Sequence, residues 1–219
     1  MRSNEDHDTT IPDTANPDAD RDSAAGLLDR LGGDAALVRR VAFIQLRATA
    51  APVDVATLAA ECDLTLHEVE AALGSLVGAG TITRIPAGAV VAAGGLSVVP
   101  ARHRLRLDGE QFWTWCAFDG IGIPAALNAD AVVETRCPTC GRALVVPVEA
   151  GRPPAESQVV GWLPGGPCGN VQADFCPEAN LFCDASHLAA WRDTGNHEGA
   201  TASLLEFADI GKATWADIT

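Results

Sequence analysis

Basic residues are scarce in this 219-residue chain: 15 Lys and Arg stand against 29 Asp and Glu, for a formal net charge of −14. So acidic a protein is a poor electrostatic partner for nucleic acid or anionic lipid. No apolar run approaches the roughly 20 residues needed to cross a bilayer. The first residues carry no hydrophobic signal core, so a cytoplasmic protein with no membrane association is expected. No Gly-rich loop is followed by the Lys and helix of a phosphate site, and Gly165-Gly166-Pro167-Cys168-Gly169 reads as a turn. No Ser–His–Asp arrangement follows from spacing. Tyr is absent altogether, to which no functional meaning attaches.

Cysteine, by contrast, is plentiful. Seven cysteines in a chain without an export signal point to reduced thiols serving metal or redox chemistry rather than a disulfide framework. Hydrophobic residues make up 47 %, as in ordinary soluble globular proteins. Residues 1–24 hold seven acids, two bases, Pro12 and Pro17 and almost nothing apolar, and read as a disordered acidic tail.

Residues 25–100 suggest a winged-helix-like domain. After the Gly32-Gly33 break, Leu37, Val38, Val41 and Ile44 keep helical spacing. A short helix is expected over Val55 to Cys62. A second follows, opened by the capping box Thr65-x-x-Glu68 and ended by Gly78 and Gly80. Thr81–Ile85 and Ala89–Val91 then form a hairpin around Pro86–Gly88. The second helix carries Glu68 and Glu70 and no base, and residues 51–85 hold five acids against Arg84 alone. A DNA-reading role is therefore disfavoured and a structural one preferred.

Residues 101–219 read as a catalytic domain of mixed or antiparallel sheet with flanking helices, giving an α+β chain overall. A strand-like run over 102–106 ends at Asp108-Gly109, and an aromatic-rich helix is expected from Glu110 to Phe118. Strands follow at 131–135, 143–148 and 158–163, then helices at 186–192 and 203–215. Six of the seven cysteines lie in this half.

Cys116 and Asp119 are three apart, so on a helix they share a face. A carboxylate beside a buried thiol can act as a proton donor or acceptor; a plain backbone cap before Gly120 is the alternative. Cys137-Pro138-Thr139-Cys140-Gly141 has the form of a zinc knuckle and makes Cys137 and Cys140 candidate ligands of a structural zinc; Cys168, Cys176 and Cys183 are available for the second pair, but no second C-x2-C completes the set. Phe175 and Phe182 flank the Cys176 segment and suggest a partly enclosed thiol. Cys62 reads as core, and His187 and His197 as surface residues without ligand-spaced partners.

The run Phe112-Trp113-Thr114-Trp115-Cys116-Ala117-Phe118-Asp119, with Ile123-Pro124-Ala125 after it, resembles the signature of the alkylmercury (organomercurial) lyases. Arg136–Gly141 and Phe175-Cys176 match further family positions in the same order. The resemblance spans about residues 35–215 and implies protonolysis of a carbon–mercury bond to a hydrocarbon and Hg(II), which stays as bound product. Cys116 and Cys176 would be the mercury-binding thiolates, Asp119 the proton carrier and Cys137 a structural residue. No cofactor would be required. The implied partners are a small organomercurial substrate, low-molecular-weight thiols and a mercuric reductase that accepts the product. Two departures stand out. The family's His-x-His/Asn-Phe-Phe pattern is replaced by Pro177–Phe182, and Cys140, Cys168 and Cys183 are additional. They leave open a non-catalytic or divergent thiolate protein for zinc, copper or another organometallic, and a metal-responsive regulator as a third reading.

Overall fold

Local sequence signals set most of the helices in the computed structural model, which describes residues 23–218; of the acidic tail expected over 1–24, residues 1–22 lie outside the described residues, and Ser23 and Ala24 open a helix. Ser23 caps α1 (Ala24–Asp29) by accepting from the Gly26 amide. Gly32 and Gly33 interrupt the chain, and α2 (Gly33–Thr49) buries Val38, Ala42, Phe43 and Leu46 along one stripe. Helix α3 (Val55–Cys62) and helix α4 (Leu66–Gly78) pack against α2, and α4 opens with both hydrogen bonds of the Thr65/Glu68 box. The hairpin β1 (Ile82–Arg84) and β2 (Val90–Ala93) follows as read. Arg84 is held by both carboxylate oxygens of Glu70 at 2.7 and 2.9 Å, so the one base of this segment is engaged by the acidic helix beside it.

The hairpin continues into a larger sheet. Strands β3 (Leu96–Ser97), β4 (His103–Leu107), β5 (Glu110–Thr114), β6 (Ala131–Arg136) and β7 (Ala143–Val148) complete seven antiparallel strands in the order β1-β2-β3-β5-β4-β6-β7. One sheet thus runs across residue 100. Helix α5 (Ala117–Leu127) lies on β4, β5 and β6, and every residue from Ala117 to Ala125 is buried. A second sheet, β10 (Gly199–Ser203), β8 (Val160–Pro164) and β9 (Leu181–Phe182), carries α6 (Ala185–Arg192) and α7 (Leu204–Thr214). Helices α5 and α7 touch where Gly122 faces Gly211, at a separation no Cβ would fit. No helix among the described residues is long and apolar enough to cross a membrane.

One expectation fails here. The segment from Glu110 is a strand to Thr114, and the helix begins only at Ala117. The reason is the Asp108-Gly109 pair, both at positive φ (50° and 91°), which closes a two-residue hairpin between β4 and β5. Phe112 and Thr114 then face the core by strand alternation, not by helical spacing.

His103 on β4 is 2 % exposed, with Nδ1 2.7 Å from Thr135 Oγ1. Burial, with a smaller contribution from the Arg102 charge, lowers its pKa from 6.5 to about 4. As the pH falls below 6.5 the unfolded chain takes up this proton before the folded one does. Stability is therefore lost between pH 6.5 and 4, by about 3 kcal/mol in full, and the loss levels off below 4. His103→Gln should flatten the acid limb of urea-unfolding free energy over that window; an unchanged slope would assign the acid sensitivity elsewhere.

Candidate active site

Cys116 lies two residues beyond the end of strand β5 and caps helix α5. Its backbone is extended, and its N–H donates to Asp119 Oδ2 at 3.0 Å, while its side chain accepts from the Asp119 amide. The pair expected on one helical face is thus a capping box, with Cys in the place usually held by Ser or Thr. Thr114 Oγ1 donates to Cys116 O at 2.8 Å, and the Ala117 amide donates to Ala179 O at 3.0 Å, tying the start of α5 to the loop after Cys176.

Cys176 arrives on that loop from a single π turn, Val171–Phe175, closed by the Cys176 amide donating to Val171 O at 2.9 Å. The turn is hung on the N-terminal half. Asn170 Nδ2 donates to Gly78 O and Gln172 Nε2 to Gly80 O, each at 3.0 Å, and the Val171 amide reaches Ala79 O. In this way the Sγ atoms of Cys116 and Cys176 and a carboxylate oxygen of Asp119 come within 4.8 Å of one another, all three residues buried.

Burial sets the protonation of this group. It pushes the Cys116 thiol well up, helped by the neighbouring Cys176 and the Asp119 charge. It also raises Asp119 to about 7, against the hydrogen bonds from Cys116 and Trp115. For Cys176 a hydrogen bond from Cys116 acts downward, but burial and Asp119 together leave its pKa raised. The site therefore holds thiols beside a carboxyl poised near neutrality, an arrangement that can pass a proton. A cavity of about 250 Å³ adjoins Asp119, walled by Trp115, Phe118, Leu163, Phe175 and Trp215. Phe118 anchors this wall through edge-on contacts with Phe175 and Phe207 and a tilted one with Trp215.

The family model for alkylmercury lyase (MerB) matches residues 96–216, more than half of the chain. The chain belongs to the alkylmercury lyase family. Membership makes it an organomercurial lyase, an enzyme that breaks a carbon–mercury bond. It is similar to the alkylmercury lyase of Streptomyces lividans, 29 % identical over 171 residues that cover 76 % of this chain and 75 % of the relative. It is also 28 % identical to that of Staphylococcus epidermidis over 152 residues, 68 % of each chain. Its fold is similar to that of the mercury-bound form of MerB2, with a TM-score of 0.81, 22 % identity, and coverage of 90 % of this chain and 97 % of that one. Among the three readings the sequence left standing, the enzyme is the one that membership selects.

The other candidates are placed elsewhere in this lyase. Cys62 is core, as expected, and Cys168 is buried outside both thiol groups. Cys137 and Cys140 do not stand alone: Cys183 and His187 join them. His187, expected at the surface without a partner, is half-buried against these thiols, and the Cys183-x3-His187 spacing was its signal. His197 stacks on Trp191 at 3.7 Å and faces Glu178.

Gly95 was missed, although Gly94-Gly95 between apolar runs is a two-residue hairpin signal. It sits at φ +91°, and a Cβ there would stand 2.6 Å from the Asp119 carboxyl carbon. Gly109 has the same φ of +91° with open space around it. Gly95→Ala and Gly109→Ala should each cost about 1–3 kcal/mol in backbone strain. Only Gly95→Ala should also displace Asp119 and cut hydrocarbon release, by at least about tenfold. Equal turnover in the two variants would show that Asp119 tolerates the intrusion.

Proposed function

We propose that Cys116 and Cys176 hold the mercury of the substrate while Asp119 moves the proton that ends on carbon. The observation that carries this is the grouping of two thiols and one carboxyl within 4.8 Å in a buried site. Thiolates are the softest donors a protein offers, and mercury is a soft ion. One cysteine displaces the substrate's labile ligand, whose place the sulfur takes, and the thiol proton leaves with that ligand. The second thiol gives its proton to Asp119 and adds its sulfur to mercury. Added sulfur donation weakens the mercury–carbon bond. Its electron pair then takes the proton from Asp119, releasing the hydrocarbon and leaving Hg(II) on both sulfurs. Atoms and charge balance without an oxidant or an organic cofactor.

The aromatic and aliphatic wall beside Asp119 suits the apolar organic group of the substrate. Low-molecular-weight thiols would then draw Hg(II) off by exchange, with a mercuric reductase as the cytoplasmic acceptor. Residues 25–100 act, in this reading, as a winged-helix-like scaffold rather than a DNA reader, because α4 is acidic and its hairpin base is already paired. Residues 101–219 then make up the catalytic domain.

The test is release of benzene or methane from phenylmercury or methylmercury in excess thiol. Cys116→Ser and Cys176→Ser should each abolish it. Asp119→Asn should slow it roughly 100-fold or more while one Hg(II) per chain is still bound. Full activity in both cysteine variants would overturn the assignment.

A further inference from the structure

We propose that Cys137, Cys140, Cys183 and His187 form a tetrahedral zinc site that clips the turn between β6 and β7 to the start of α6. Their ligand atoms all lie within 4.8 Å of one another, on two arms spaced Cys-x2-Cys and Cys-x3-His. Three thiolates and one imidazole are a structural zinc set with no open position. The distances favour a shared ion over a sulfur–sulfur bond. Cys140 Sγ and Cys183 Sγ are 3.6 Å apart. A disulfide needs about 2 Å, whereas two thiolates bound to one zinc at about 2.3 Å sit about 3.8 Å apart.

The surroundings supply what such a site requires. Arg142 Nε donates to Cys183 Sγ at 3.0 Å. Three thiolates against a dication leave one negative charge, which this guanidinium faces. His187 Nδ1 is shielded from solvent and makes no hydrogen bond. The nearest carboxylate, Asp184 Oδ2 at 3.5 Å, belongs to a side chain that caps α6 by accepting from the Ser186 and His187 amides. Thr139 Oγ1 donates to His187 O at 2.7 Å, so the two arms are already docked. Gly141, at φ +74°, lets the Cys137–Cys140 turn close on itself. Four ligands of the Cys3His kind are a recognised zinc set, and this decides for zinc among the soft metals that thiolates bind. The site shares no residue with the Cys116–Asp119–Cys176 group, so it stands or falls independently of the reaction proposed above.

The experiment is metal analysis and X-ray absorption of the full chain, purified under reducing conditions and, if metal-poor, given one equivalent of Zn(II). About one zinc per chain is expected, with three sulfurs at about 2.3 Å and one nitrogen at about 2.0–2.1 Å. His187→Ala and Cys140→Ser, both away from the buried core, should lower zinc content at least about tenfold and melt at lower temperature. A Cys116→Ser/Cys176→Ser double variant should keep its zinc. Should Cys140→Ser fail to fold, Cd(II) substituted into the unaltered chain should show the thiolate charge-transfer absorption of three sulfurs. A chain that takes up no zinc, or zinc lost from the Cys116/Cys176 double variant and retained in His187→Ala and Cys140→Ser, would overturn the proposal.

Discussion

The exchange of hydrogen bonds between Cys116 and Asp119 does two jobs that would ordinarily be separate. It satisfies amides at the N-terminus of α5, a helix buried along almost its whole length, where unpaired donors would be costly. It also fixes a carboxyl against a thiol in a place neither would choose alone, since burial disfavours the charged form of both. The structure around them serves this constraint. Gly95 leaves room for the carboxyl, Thr114 holds the Cys116 carbonyl, and Trp215 pins the Gly94 carbonyl through its indole N–H at 2.7 Å. The Gly122–Gly211 contact then lets α7 lie close enough to bring Trp215 there.

What could be read in the sequence was mostly what is local. The Thr65/Glu68 box and the helices at 55–62 and 66–78 are written in a few adjacent residues, and they fall where expected. The Cys116–Asp119 pair was visible for a partly different reason than the one first given. Ncap-to-N3 spacing is the same three residues that put two side chains on one helical face, so a wrong element still yielded the right neighbours. Aromatic density at Phe112, Trp113 and Trp115 masked the strand alternation that the Asp108-Gly109 turn imposes.

Long-range pairings were not legible from spacing. Nothing in the residues near Cys176 says that it meets Cys116, and only resemblance to a family joined them. Strands β3 and β9 are two residues long, too short for any periodicity to show. Of the knuckle's two partners, Cys183 was one of three available cysteines and His187 was not legible, because the missing half is Cys-x3-His rather than a second Cys-x2-Cys and the two arms are brought together only by the fold.

The suspension of the π turn from residues 78–83 bears on where this enzyme's functional unit begins. Asn170, Val171, Gln172 and, through Thr83 Oγ1, the Gln172 side chain are all held by the end of α4 and the first strand. The family model begins at residue 96, after every one of those anchors. A chain cut back to the residues the family model matches would keep all three chemical groups, yet Cys176 would lose the anchors before its π turn and keep only those that follow it, such as the Ala117–Ala179 bond. The helical module is therefore part of the vice that sets the sulfur–sulfur gap.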